Sequence, residues 1–83
     1  MFTVYSKPNC AYCVQAKQLL NSKNLPFIEK IIDVGQAKED GKEYVTVQEL
    51  KELVPTATSV PQILHEGKHI GGFTQLMQYV GGK

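Results

Sequence analysis

Apolar residues alternate with small or polar ones along Phe2-Thr3-Val4-Tyr5-Ser6, which predicts a strand. Lys7-Pro8-Asn9 follows as a turn. The period then changes. Cys13, Ala16, Leu19 and Leu20 recur at helical spacing, with Gln15, Lys17, Gln18 and Asn21 opposite them. This predicts an amphipathic helix over Val14–Asn24, ended by Asn24 and barred from continuing by Pro26. Phe27-Ile28-Glu29-Lys30-Ile31-Ile32 is rich in β-branched residues and predicts a second strand. Strand, helix and strand within about 30 residues form a βαβ unit, whose strands run parallel.

Residues 34–44 are polar, carry Gly35 and Gly41, and read as a loop with at most a helical turn. Thr46-Val47-Gln48-Glu49 is a capping box opening a second helix, with Val47, Leu50, Leu53 and Val54 as its inner stripe and Pro55 as its stop. Gln62–His65 reads as a short strand, which Glu66-Gly67-Lys68 turns back into a fourth strand at His69-Ile70. Gly71-Gly72 breaks the pairing. Phe73 to Val80 is a last helix with Phe73, Leu76 and Val80 inward, closed by Gly81-Gly82. The expected order is β-α-β-α-β-β-α: an α/β fold with a four-stranded mixed sheet flanked by helices.

Composition narrows the function. Eighty-three residues, 42% hydrophobic and 20% charged, suit one compact soluble domain over residues 1–83. The net charge of +1, without a basic run, gives nucleic-acid binding no support. No stretch approaches the roughly 20 apolar residues of a membrane helix, so no membrane role is expected. Met1 leads almost directly into the first strand, without a secretory signal, and a cytoplasmic location is the expectation.

The candidate chemistry lies in Cys10-Ala11-Tyr12-Cys13, which holds both cysteines of the chain. Cys-x-x-Cys between a strand and a helix is a redox motif. With Cys10 at the helix N-cap, its sulfur faces the first-turn amides of Tyr12 and Cys13, and these favour the thiolate. Cys13, one turn on, is placed to resolve a mixed disulfide. A purely structural disulfide is a poor alternative, because so short a loop stabilises little. Zinc is another, since His65 and His69 have H-x₃-H spacing. However, they lie much further from the cysteines than the usual dozen or so residues, and they read as surface histidines on a hairpin. No metal site is expected.

With this order and this motif, the chain resembles a glutaredoxin of the thioredoxin superfamily, essentially end to end, and most of all the small dithiol, phage-type members. Lys7-Pro8-Asn9-Cys10-Ala11-Tyr12-Cys13 is similar to the family's active-site stretch. Ser59-Val60-Pro61-Gln62-Ile63 is similar to its Thr-Val-Pro-Gln segment, in which the proline is cis and faces the cysteines. Gly71-Gly72-Phe73 is similar to the Gly-Gly turn that opens the last helix beside the bound tripeptide. The resemblance implies a thioredoxin-like fold. It implies that Lys7, Tyr12, Val60, Pro61, Gly72, Phe73 and Thr74 bind glutathione, with the Val60 backbone free to pair with an extended peptide. Lys7, by itself an ordinary solvated lysine, becomes a cation beside Cys10. Two residues depart from the pattern. Ala11 replaces a proline that stiffens the first helical turn. Thr74-Gln75 replaces an acidic pair, which implies a weaker hold on glutathione.

The reading is a dithiol–disulfide oxidoreductase with Cys10 attacking and Cys13 resolving. It is expected to act as a monomer on disulfide-bearing proteins and glutathione mixed disulfides. Glutathione is the expected electron donor, or a glutathione or thioredoxin reductase system serves it, and no bound cofactor is expected. The alternatives are an iron–sulfur or metal carrier and a docking module serving one reductase such as ribonucleotide reductase.

Overall fold

The computed structural model describes residues 1–81. Its elements are β1 (Phe2–Ser6), α1 (Ala11–Ser22), β2 (Phe27–Ile32), β3 (Glu43–Val45), α2 (Val47–Leu53), β4 (Gln62–His65), β5 (Lys68–Gly71) and α3 (Phe73–Gly81). The strands form a single sheet in the order β3-β2-β1-β4-β5. β3, β2 and β1 run parallel, and β4 and β5 are antiparallel to their neighbours. No helix among the described residues is long and apolar enough to cross a membrane.

The sheet has five strands, not the expected four. β3 lies inside the segment read as a loop and beyond it to Val45. Its Glu43, Tyr44 and Val45 pair with Lys30, Ile31 and Ile32 of β2. Three residues are too few to display a period, and this strand exists because β2 offers it an edge.

β1 is the central strand, and its alternation divides the core in two. Phe2 and Val4 face α1 and α3, in a cluster with Ala16, Leu20, Ile63, Leu76 and Val80. Tyr5 faces the other way, among Ile32, Val45, Leu50, Val54, Ala57 and Leu64. The expected inward faces of α1 and α3 hold: Cys13, Ala16, Leu20, Leu76 and Val80 are buried, while Leu19 and Phe73 are half-buried. That of α2 does not. Leu50 and Val54 are buried, but Val47 and Leu53 are exposed, because so short a helix meets the sheet along one row.

Helix ends follow their capping residues. The Thr46 hydroxyl accepts the Glu49 N–H at 3.0 Å and opens α2. α1 starts at Ala11, three residues before the expected start at Val14. It ends in a left-handed Asn24 (φ 56°), whose N–H reaches the Asn21 carbonyl while that of Leu25 reaches Leu20. Asn is the residue that tolerates this conformation best after Gly. Asn24→Ala is therefore expected to cost about 1 kcal/mol, and Asn24→Gly to cost nothing or to stabilise slightly. Urea midpoints measure both. α3 runs through Gly81, and the predicted closure at Gly82 lies outside the described residues.

His65 is not the surface histidine expected. The register sets it opposite Phe2, where the rings stack at 4.1 Å, and its Nδ1 lies 2.8 Å from the Tyr79 hydroxyl. His69 bonds Gln62 through Nε2 at 2.8 Å.

Candidate active site

The turn after β1 carries a left-handed Asn9 (φ 58°) and delivers Cys10 to the N-cap of α1 in an extended conformation. Cys10's carbonyl accepts the Val14 N–H, and the Cys13 N–H donates to Cys10 Sγ at 3.2 Å. The sulfur thus sits on the first-turn amide of Cys13, where negative charge is favoured; no bond from the Tyr12 amide accompanies it among the described residues. Cys10 and Cys13 are joined as a disulfide, with Cα atoms 5.3 Å apart. Their exposures differ. Cys13 is 1% exposed, on the face it shares with Ala16 and Leu20, whereas Cys10 is half-buried at the surface. An incoming sulfur can reach Cys10 and not Cys13.

The Val60 carbonyl oxygen lies 3.8 Å from Cys10 Sγ, and the Val60–Pro61 bond is cis. On this side of Cys10 a groove of about 210 Å³ brings together Tyr12, Val60, Pro61, Gly72, Phe73 and Thr74. These residues come from three distant parts of the chain. Tyr12 and Phe73 form its aromatic rim, with ring centroids 6.0 Å apart. Ser59 and Gln75 complete it. Gln75 was named in the sequence only as a departure from a pattern, yet it organises this end. Its Oε1 accepts the Gly72 N–H at 3.0 Å, the return half of a capping box on α3. Its place three residues past the Gly-Gly turn is the signal that could have identified it.

Lys7 is the exception among the expected binding residues. It is exposed and does not line this groove. It borders a larger hollow of about 870 Å³ lined by Cys10, Cys13, Lys17, Glu29 and Tyr44, and a smaller one with Val60 and Ser59. The cysteine pair therefore borders a charged hollow, while the groove that includes Val60 is lined by uncharged residues.

The charged hollow holds a network that sequence reasoning missed. Glu29 Oε2 accepts from the buried Ser6 hydroxyl and from Lys17 Nζ, both at 2.7 Å. An acid in the middle of a parallel strand that carries four apolar residues was the available signal. Burial alone raises this carboxyl's titration point, but the hydrogen bonds from Lys17 and Ser6 outweigh it and hold Glu29 below its ordinary value. With the folded value below the unfolded one, Glu29's stabilising contribution is complete above about pH 4.5 and is lost as pH falls through the lowered value. Lys17→Met is expected to cost about 1–3 kcal/mol at neutral pH and progressively less below pH 4. Urea midpoints against pH test this. An undiminished deficit in acid would rule Glu29 out as the cause.

Among the described residues no group of three or more His, Cys, Asp or Glu side chains could hold a metal ion. His65 and His69 belong to the β4–β5 hairpin and bond Tyr79 and Gln62.

Comparison with known proteins agrees with this geometry. A family model described as Glutaredoxin matches residues 2–70. Glutaredoxin 3 of Escherichia coli K12 is 37% identical over 75 residues, which cover 88% of this chain and 77% of that protein. The hybrid peroxiredoxin hyPrx5 of Haemophilus influenzae is 38% identical over 77 residues. The match covers 93% of this chain, which spans only 28% of that protein's length. The crystal structure of glutaredoxin 1 from Francisella tularensis, complexed with cacodylate, superposes with a TM-score of 0.72 at 28% identity, over 98% of this chain and 92% of that one.

Proposed function

The chain belongs to the glutaredoxin family of thiol–disulfide oxidoreductases, and from that premise we propose that it reduces disulfides with glutathione, Cys10 attacking and Cys13 resolving. The observation that carries this division of labour is the unequal setting of the two sulfurs: Cys10 on the first-turn amide of Cys13 at the surface, Cys13 buried one turn below.

With a protein disulfide, the Cys10 thiolate forms a bond to one substrate sulfur and the other leaves as a thiolate, which takes up a proton. Cys13 loses its proton and attacks Cys10 Sγ. The substrate's second thiol departs and the Cys10–Cys13 disulfide remains, so two electrons have passed to the substrate. Two glutathione molecules return them and leave as glutathione disulfide. With a glutathione mixed disulfide, Cys10 takes the glutathionyl sulfur and releases the reduced thiol. A second glutathione then frees Cys10.

In this reading glutathione lies along the groove of Tyr12, Val60, Pro61, Gly72, Phe73 and Thr74, its sulfur directed to Cys10. Lys7, which lines the hollows that hold Cys10 and Val60, serves a carboxylate reaching past the sulfur or a partner's acidic residue. The protein substrates carry exposed disulfides, the chain works as a monomer, and a reducing compartment such as the cytoplasm suits the chemistry. A glutathione reductase system keeps the donor reduced, and a thioredoxin-type reductase is the other source of electrons.

A coupled assay tests the proposal: purified protein, a glutathionylated peptide, glutathione, NADPH and glutathione reductase. Turnover with saturable dependence on the peptide is expected. Failure to accelerate the reaction above the glutathione background would overturn it.

A further inference from the structure

We propose that the groove beside Cys10 does not read the ammonium group of glutathione, so that a glutathionyl unit acylated on that nitrogen is transferred as well as the natural one. The inference rests on glutathione lying in this groove, and it specifies which part of the tripeptide the protein recognises.

The chemistry of the ligand frames the problem. Glutathione carries one ammonium at neutral pH, and that nitrogen shares a carbon with a carboxylate. Wherever the protein places this carboxylate, the ammonium lands within a few ångströms. A site that uses both charges needs donors for one and an anion for the other.

The end of the groove formed by α3 supplies only the first. The N–H groups of Phe73, Thr74 and Gln75 are first-turn amides without a partner inside the helix, the first helical bond being that from Leu76 to the Gly72 carbonyl. These amides and the N-terminal end of the helix dipole suit a carboxylate and repel a cation. The side chains beside them are the neutral Thr74 and Gln75, and Gln75 Oε1 is already committed to the Gly72 N–H at 3.0 Å. The rest of the lining is Tyr12, Phe73 and the Ser59–Pro61 segment, equally uncharged.

The chain's nearby carboxylate is held elsewhere. Glu29 lines the charged hollow, which shares no lining residue with the groove, and is bonded to Ser6 and Lys17. Glu66 is paired with the amino group of Met1, and Asp33 with Lys38. Among the described residues no anion borders the groove. An ammonium brought there gives up part of its hydration for neutral oxygens beside a positive helix end, so it adds nothing to binding. Removing its charge therefore takes nothing away.

The test uses two substrates, one peptide disulfide-linked to glutathione and the same peptide linked to N-acetyl-glutathione. Each rate is normalised to uncatalysed exchange with a small thiol, which removes any difference in intrinsic reactivity. For the natural protein the ratio of kcat/KM, free amine to acetylated, is expected to stay within about threefold of one. Thr74→Asp puts a carboxylate on the first turn of α3, where it favours the helix. It should raise the ratio about tenfold or more, the worth of one charge-assisted hydrogen bond. Thr74→Ser, with no new charge, should leave the ratio where it is. A natural protein that discriminates more than threefold for the free amine would overturn the inference. So would a Thr74→Asp protein, folded by circular dichroism, whose ratio does not move. Failure of the underlying reading looks different: neither glutathione disulfide is turned over, while a protein disulfide still is.

Discussion

Replacing Cys10 by Ser is expected to abolish reduction of every disulfide substrate, by roughly a thousandfold or more, because no other thiol can begin the exchange. Cys13→Ser should divide the substrates instead. Protein disulfides, which need the second thiol to break the mixed intermediate, should lose nearly all turnover. Glutathione mixed disulfides, where a second glutathione can do that work, should keep a substantial fraction. The asymmetry follows from position. Cys10 caps α1 at the surface with the Cys13 amide on its sulfur, and Cys13 lies 1% exposed under the helix. Initial rates of both variants on both substrate types, with circular dichroism to establish folding, decide the matter. Equal inactivation of the two variants on a glutathionylated peptide would show that the roles are wrongly assigned.

What could be foreseen of this site separates along a physical line. Features fixed by neighbours in the chain were legible. The Cys10–Cys13 spacing is one helical turn, Thr46 and Glu49 form a cap, and Asn24 stops α1, all through contacts within a few residues. The groove was legible only through resemblance, because Tyr12, Val60–Pro61 and Gly72–Thr74 meet by folding and no local pattern joins them. Features that depend on strand register were not legible. β3 exists because β2 presents an edge to it. Glu29 finds Ser6 because β1 and β2 lie parallel, with Val4 opposite Glu29 and Ser6 opposite Ile31. His65 stacks on Phe2 because β4 returns antiparallel with those two residues opposed. Burial of a polar side chain is decided by its partner across the sheet, and a single chain read in order does not name that partner.

Gly71→Ala is expected to be among the most damaging single changes outside the two cysteines. Gly71 ends β5 with φ at 128°, a conformation L side chains rarely adopt, and a methyl group there would sit 2.8 Å from Gln75 Cγ and 2.9 Å from its Cβ. The Cβ is fixed by the backbone of α3 and cannot swing clear, and the Cγ is tied by the bond from the Gly72 N–H to the Gln75 side chain. The alanine must hold a strained backbone, at a cost on the order of 1–3 kcal/mol. It must also push the first turn of α3 away or break that hydrogen bond, adding about 1 kcal/mol. A total of about 2–4 kcal/mol corresponds to a fall in Tm of roughly 10–25 °C for a domain of this size. Because Gly72, Phe73 and Thr74 form that first turn, glutathione-disulfide turnover should fall further than the alkylation rate of Cys10 by a small uncharged reagent, which needs only the α1 N-cap. A double-mutant cycle with Gln75→Gly separates the two costs: in the Gln75→Gly background, which has neither the collision nor that hydrogen bond, adding Gly71→Ala should cost only the strained φ, about 1 kcal/mol less than Gly71→Ala costs in the natural protein. A Gly71→Ala protein that melts with the natural one would mean that the β5–α3 turn can take another conformation, and with it the wall of the groove.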